Sequence, residues 1–543
     1  IQGSVYAFHD TAGVGSFLNF GSLSITSLGL LSASLPTSGF FNNYFASSAL
    51  NITVTNSLSN AGTISSPGLL AISAGGAINN FGLMSAQSIN LSAAQAISNT
   101  GSIAATMGAA NLNSATGQYA NSGLISALSN INLASQQAAS LANISFDNTR
   151  GVLQASQAIN FRDPAFMEKA DLDITGGDLY SSAVNLIGGR GTVTFDAEDV
   201  TGSINATGHN VTIHADTKNL QLGNLIGTGD PRVSNTGSVN ITANIIGNPI
   251  SIYAGQNITD SGGAKTIDSQ GGDLFLAAGV TFTPNAGDET ITIGSSATGG
   301  RILLNDNNLT VTTSGGNLLA IAHEGSIATS GRVQITPGAA ITTNGGNVTV
   351  IAEENSTGVD GITIGTINTN GPIAGAGDIF LRTALITQSE NIIVSNTGAI
   401  LNPAGLTAIG SGFSRLSGVR ATGDLLGNGA SVDIFVAGRI QIEGILDVSV
   451  KTLPASILTT PVVSLVSSGS SVRIDNDAGA ALAINTSNPF GIGGSLGIET
   501  SGGGTASSVR IDGGIDNSAA LLGGSVTLRS ATSRVDVNGP GAA

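Results

Sequence analysis

Residues 315–352 read GGNLLAIAHEGSIATSGRVQITPGAAITTNGGNVTVIA. The phrase GGNLLAIA returns thirty residues later as GGNVTVIA, and ITTNGG stands where VTTSGG stood one unit earlier. The words change and the period does not. Glycines that open short apolar runs occur at Gly272, Gly287, Gly300, Gly316, Gly331, Gly346, Gly361 and Gly377, in steps of 13 to 16 residues. After most of them the second and fourth residues are apolar: Leu318 and Ala320, Val333 and Ile335, Val348 and Val350. Apolar residues at alternate positions mark a strand, and glycine supplies the backbone conformations that tight corners need. The segment therefore reads as units of about thirty residues, each holding three short strands.

Upstream the same grammar runs on a shorter period. Asn-x-Gly triplets start at Asn60, Asn80, Asn99 and Asn121, in steps of 20, 19 and 22 residues. Towards the C-terminus the beat slackens into SVDIFVAG at Ser431, SVRIDNDAG at Ser471, SVRIDGG at Ser508 and SVTLRS at Ser525. Self-similarity at such periods is the signature of a solenoid. Composition agrees: 76 Gly, no Cys, no Trp and four Lys in 543 residues leave few good helix formers. No run of eighteen apolar residues free of Gly, Ser, Thr and charge is present, so no membrane insertion by a helix is expected. The expected fold class is an all-β parallel β-helix with three short strands per coil. Coil length should grow from about 20 to about 30 or more residues. Inward Ile, Leu and Val would stack coil on coil about 4.8 Å apart, and identical corner Asn amides would bond into a ladder. Roughly twenty coils would make a rod on the order of 100 Å long.

NAGTISSPGLLAISAGGAINNFG, from Asn60, and ITTNGGNVTVIA, from Ile341, resemble the shaft repeats of filamentous-haemagglutinin-type exoproteins and related large bacterial β-helical adhesins. The likeness spans most of residues 51–395 and, more loosely, the remainder. It implies a right-handed β-helix that is secreted and displayed at a bacterial cell surface, serving adhesion, biofilm matrix or toxin display. It also makes the absence of cysteine a companion of export through a narrow pore, hence an extracellular address. The family's secretion domain carries NPNL- and NPNG-like motifs. The Asn-Pro pairs here, at Asn248, Asn402 and Asn488, do not match them, and the chain opens at Ile1 without a signal segment, as a processed or partial chain would.

Charge narrows the partners. With 34 acidic and 18 basic residues the net charge is −16, and no run of Lys or Arg is present in the sequence, so no nucleic-acid partner is expected. For calcium the places to look are NDNN at 305–308 and DNDAG at 475–479, neither with EF-hand spacing, and no metal or cofactor is expected. The histidines His9, His209, His214 and His323 fall in no catalytic or metal motif, and no nucleophile elbow or phosphate loop occurs. The densest acidic group is Asp171, Asp173, Asp178, Asp196, Glu198 and Asp199. It keeps one enzyme alternative open, a polysaccharide lyase or hydrolase, which needs carboxylates converging on one face. No catalytic residue is assigned. Eleven Asn-x-Ser/Thr sequons stand mostly where a strand leaves a corner.

Two places break the rhythm. Residues 1–45 hold eight of the 22 aromatic residues, and FRDPAFMEKADLD at 161–173 carries helix-favouring chemistry. The organisation expected is an aromatic-rich N-terminal segment (1–50), short coils (51–162), irregular coils with an insertion (163–235), thirty-residue coils (236–395) and long, loop-bearing coils (396–543). The functional expectation is a structural, non-enzymatic extracellular rod: an adhesin shaft or the building block of a cell-surface or matrix filament. It would associate with itself head to tail and offer a surface to a host or cell-surface ligand.

Overall fold

A computed structural model describes residues 1–9, 15–33, 45–46, 48–134, 142–163, 165–284, 290–327, 329–356, 358–383, 392–395, 417–454, 459–475, 482–501, 508–531 and 534–538. These residues form sixty strands and no helix. They fall into two compact units, Ile1–Gly229 and Asp230–Ala543. Each is a parallel β-helix.

In the first unit one coil consists of Leu69–Ala74, Ile78–Asn80 and Leu83–Ala86. All three strands pair in parallel with their counterparts in the next coil, Leu69 opposite Ser88, Ile78 opposite Ile97 and Leu83 opposite Ser102. One row of inward positions runs Leu70, Ile89, Ala110, Ile131, Ile159, Val184, Ile204, each paired with the next. Every member is buried. A narrow core of this kind exists because strand periodicity sends alternate side chains inward while the backbone is satisfied by the neighbouring coils.

The Asn-x-Gly corners follow from the same stacking. Asn60, Asn80, Asn99, Asn121 and Asn148 turn their amides inward and are at most 2% exposed. Each Nδ2 donates to the Oδ1 of the next, over 2.7–2.8 Å and 20, 19, 22 and 27 residues. The glycine is required by close approach. A Cβ on Gly82, Gly101 or Gly123 would stand 2.1 Å from the carbonyl oxygen of the glycine one coil earlier.

The second unit repeats this on longer coils. Leu318 pairs with Val348 and Val348 with Ile379, Ile302 with Val333 and Val333 with Ile362, and Ile341 with Ile367. Coil spacing is read from another corner ladder, in which the backbone N–H of one rung donates to the side-chain oxygen of the rung before. Asn317 bonds to Asp273 across 44 residues, Asn347 to Asn317 across 30, Asp378 to Asn347 across 31 and Ser431 to Asp378 across 53. The lengthening is thus real but uneven. The VTTSGG and ITTNGG phrases are corners whose Thr313 and Thr343 hydroxyls donate to the carbonyls of Gly316 and Gly346. Ser314 (φ 54°) and Asn344 (φ 54°) stand there in the left-handed region, followed by Gly315 (φ 120°) and Gly345 (φ 104°).

The step of 44 residues has a cause that the glycine beat concealed. Val280–Pro284 and Thr290–Ser295 leave the coil as an antiparallel pair, and Ile392–Ser395 adds a third antiparallel strand. Gly287 itself lies outside the described residues. Val280 and Ile293 pack on Tyr253, Phe275, Ala277, Ile321 and Ile351, which point away from the coil interior. The outward side of GGNLLAIA and GGNVTVIA is therefore partly a second apolar layer, where the alternation implied open surface.

Ile335, fully buried, should tolerate no charge. Ile335→Asp is expected to cost several kcal/mol. Thr349→Asp, at a half-exposed outward position, should cost less than about 1 kcal/mol. Denaturant midpoints of the two variants check the assignment, and equal losses would contradict it.

Candidate functional site

Coil stacking gathers residues that are far apart in sequence, and this is where polar surface with shape arises. In the second unit one outward row runs Gln334, Thr363, Arg420, Gln441, Arg473, Arg510, Asp536, each in register with the next. Arg332, Arg439 and Arg534 flank it, since their carbonyls accept the N–H groups of Ile302, Val419 and Val509, inward residues of the strand one coil earlier. Every arginine named has a carboxylate: Arg332–Glu354 at 2.6 Å, Arg439–Asp360 at 3.4 Å, Arg420–Glu443 and Arg510–Asp512 at 2.8 Å, Arg473–Asp475 at 2.5 Å, and Arg534–Asp536. The sequence has no arginine cluster; the fold builds one at intervals of a coil. Pairing leaves it nearly neutral; the open pairs Arg439–Asp360, Arg510–Asp512 and Arg534–Asp536 contribute little to stability, whereas the Glu354 and Asp475 carboxylates are buried. Arg301, Arg332, Gln334, Asp360 and Thr363 line an open recess of about 280 Å³ on this face.

Next to Glu354, the partner of Arg332, stands a buried polar group. His323 and Glu353 are 1% and 3% exposed and meet at 3.2 Å, and Glu353 also accepts the Glu324 N–H at 3.0 Å. Glu354 is held below the usual glutamate range. Burial pushes its carboxyl up, but hydrogen bonds from Ser356 and Arg332 outweigh that. Elsewhere Lys265, with its side chain fully enclosed, lies 3.6 Å from Asp260 and 2.9 Å from Asp306. Asp306, in the NDNN stretch, is therefore committed to a lysine, and Asp475, in DNDAG, to Arg473; residues 476–479 lie outside the described set.

The six acidic residues of the first unit do not converge. Asp173 and Asp196 lie on one sheet, opposite Thr194 and His214 respectively, and the Asp171 carboxylate accepts the Thr192 N–H at 2.9 Å. Asp178 and Asp199 do meet, through the Tyr180 hydroxyl, at 3.2 and 3.5 Å. Burial and these two carboxylates hold that phenol above its ordinary pKa. His209 bonds to Thr228 at 2.8 Å and His214 lies 3.8 Å from Asp216. Among the described residues no three His, Cys, Asp or Glu are grouped as a metal ion needs.

The insertion at 161–173 is organised by a residue that no motif marked. Arg162 is fully buried with φ 76°, and its guanidinium donates to the carbonyls of Ala142, Ala170, Asp171 and Ile187 at 2.8–3.0 Å. It also lies 4.5 Å from the Phe166 ring centroid, and burial lowers its pKa to about 10. The AFMEKA stretch forms no helix; Phe166 packs on Ala170 and Ile187 instead.

In the first unit a second recess, of about 300 Å³, opens on the outward face of Ser16–Phe20, Ala49–Val54, Leu69–Ala74 and Ser88–Ala93. Phe17, 76% exposed, stands at its side. Of the other N-terminal aromatics, Tyr6 is exposed, Phe20 is half-buried, and Phe40, Phe41 and Tyr44 lie outside the described residues.

Arg162→Met should leave four carbonyls without their donor, lowering stability by about 3 kcal/mol and opening residues 163–170 to protease. Limited proteolysis with a thermal midpoint checks both effects. Glu354 sets a pH dependence. Its folded-state pKa is depressed, so its stabilisation is present above the unfolded-state pKa and is lost as pH falls through the folded value. Acid unfolding of Glu354→Gln should therefore show a shallower loss below pH ~5 than the native chain.

Comparison with protein-family models, curated proteins and solved structures finds no match. The parallel β-helix accordingly rests on the strand register itself, and no matched protein supplies a function.

Proposed function

We propose that this chain is a structural segment of an extracellular bacterial β-helical rod, an adhesin shaft or the building block of a surface or matrix filament, without catalytic function. The parallel coils of both units support a structural or display role, since such a scaffold presents long, repetitive faces. Absence of cysteine and the likeness of the repeats to filamentous-haemagglutinin-type shafts favour the cell surface.

One observation carries the reading further, to self-association. Val526 and Val535 occupy inward positions, in register with Leu496 and Val509. Leu496 and Val509 are at most 1% exposed, whereas Val526 and Val535 are 47% and 39% exposed. Ser525–Ser530 and Val535–Asn538 pair on one side only among the described residues. At the other end of the chain Ser4–Tyr6, Ser16–Phe20 and Leu23–Ile25 likewise pair on one side. Open strand edges over an apolar step are templates for another coil. The covering coil comes from more of the same chain or from a second copy stacked head to tail, a heterologous contact that extends into a filament unless it closes.

Solution mass and electron microscopy of the purified chain test this. The expected result is a ladder of oligomers or filaments that collapses to monomer in the Val526→Asp/Val535→Asp variant, whose new charges sit on exposed positions and leave folding intact. Monodisperse monomer at high concentration would overturn it. The alternative of a glycan lyase or hydrolase, for which the Asp178–Tyr180–Asp199 contact is the best candidate centre, predicts new reducing ends from uronate polysaccharides; the structural reading predicts none.

A further inference from the structure

The outward face of the first unit carries a second amide ladder, outside the coil. Asn111 donates from Nδ2 to Oδ1 of Asn90, Asn132 to Asn111, Asn160 to Asn132, Asn185 to Asn160 and Asn205 to Asn185, over 2.6–2.9 Å. Every donor points to the lower-numbered coil. Two coils earlier Asn51 keeps the same polarity, its Nδ2 donating to the Ser16 carbonyl at 3.3 Å. The register between them runs Asn51, Ala71, Asn90. Ala71 has no amide, so the ladder lacks one rung.

That missing rung lies in the recess of about 300 Å³ beside Phe17. Its two sides are chemically opposite. Asn51 uses its Nδ2 on Ser16, which leaves Oδ1 as an acceptor towards Ala71. Asn90 uses its Oδ1 on Asn111, which leaves Nδ2 as a donor towards Ala71. The two side chains stand two coils, about 10 Å, apart, a gap that one further amide group bridges with a bond at each end. The cooperative polarisation of a chain of amides strengthens its terminal donor. A parallel row of hydroxyls, Thr53, Ser73 and Ser92, in register with one another, borders the notch. The Phe17 ring, 76% exposed, offers an apolar face with negative charge density at the edge of the recess.

We propose that this notch binds a glycan through the acetamido group of an N-acetylated sugar, which replaces the missing rung. Its N–H donates to Asn51 Oδ1, and its carbonyl accepts from Asn90 Nδ2. The sugar ring lies against Phe17, and its hydroxyls meet the Thr53–Ser73–Ser92 row. A peptide bond has the same donor and acceptor, but the open recess, its hydroxyl border and a lone exposed ring suit a hydroxylated ring better than an extended chain.

The test is titration of the whole chain with the trimer of N-acetylglucosamine, its fully deacetylated counterpart, a glucose trimer and an acetylated, amidated alanine peptide. The N-acetylated trimer should bind, and the other three should bind at least about tenfold more weakly, one hydrogen-bond pair corresponding to roughly that factor. Ala71→Asn supplies the rung from the protein itself. It should abolish binding while leaving the thermal midpoint unchanged or raised. Phe17→Ala, at an exposed position, should weaken binding by about tenfold without affecting folding. Equal affinity for the deacetylated trimer, binding retained in Ala71→Asn, an unchanged affinity in Phe17→Ala, or a peptide that binds as tightly as the sugar would each overturn the proposal.

Discussion

Everything in this structure depends on each coil pairing in parallel with the next in register. A strand of three to six residues cannot stand alone, and its backbone donors and acceptors are met only by the coils on either side. The same register places Leu70 on Ile89 and Val333 on Ile362, so burial and backbone pairing are satisfied by one geometry. Where a side chain must be polar yet inside, it is made to repeat. Asn60, Asn80, Asn99, Asn121 and Asn148 satisfy one another at every step, which removes the penalty that a single buried amide would carry.

Repetition also decides the outer surface. Residues separated by a coil in sequence become neighbours in space, so the unit of surface chemistry is the row. Arg420, Gln441, Arg473 and Arg510 form such a row, as do Asn90, Asn111 and Asn132. One changed residue in a row makes a local feature with defined sides. Ala71 between Asn51 and Asn90 is that case. A flat solenoid face thereby acquires a site without any loop being inserted.

Where the chain does leave the coil, the excursion is anchored from within. Arg162 places a cation among four carbonyls under the insertion that follows it, a use of the planar guanidinium that lysine could not reproduce. The antiparallel pair Val280–Pro284 and Thr290–Ser295 is held by apolar contact instead, through Val280 and Ile293 on Tyr253, Phe275, Ile321 and Ile351. Both devices bury groups whose neighbours come from distant parts of the chain.

The sequence by itself determined the strand period, the inward residues and the corner chemistry. All of these are set within a few consecutive residues: Val348 and Val350 alternate, Thr343 to Gly346 turn, and Asn80 precedes Gly82. It also indicated that 161–173 breaks the rhythm. The tertiary structure alone decided which outward residues are covered, because Ile321 and Ile351 are buried with Val280 and Ile293 of the antiparallel pair rather than by their own coil. It decided that the arginines form one face and that the acidic residues of 171–199 are divided between sheets. The notch at Ala71 was equally invisible beforehand, since an alanine in a strand carries no signal until the asparagines 20 residues before it and 19 after it are seen to be its neighbours. Local alternation is written along the chain; lateral adjacency depends on the exact length of every coil between two residues, and that length is set by packing and corner geometry.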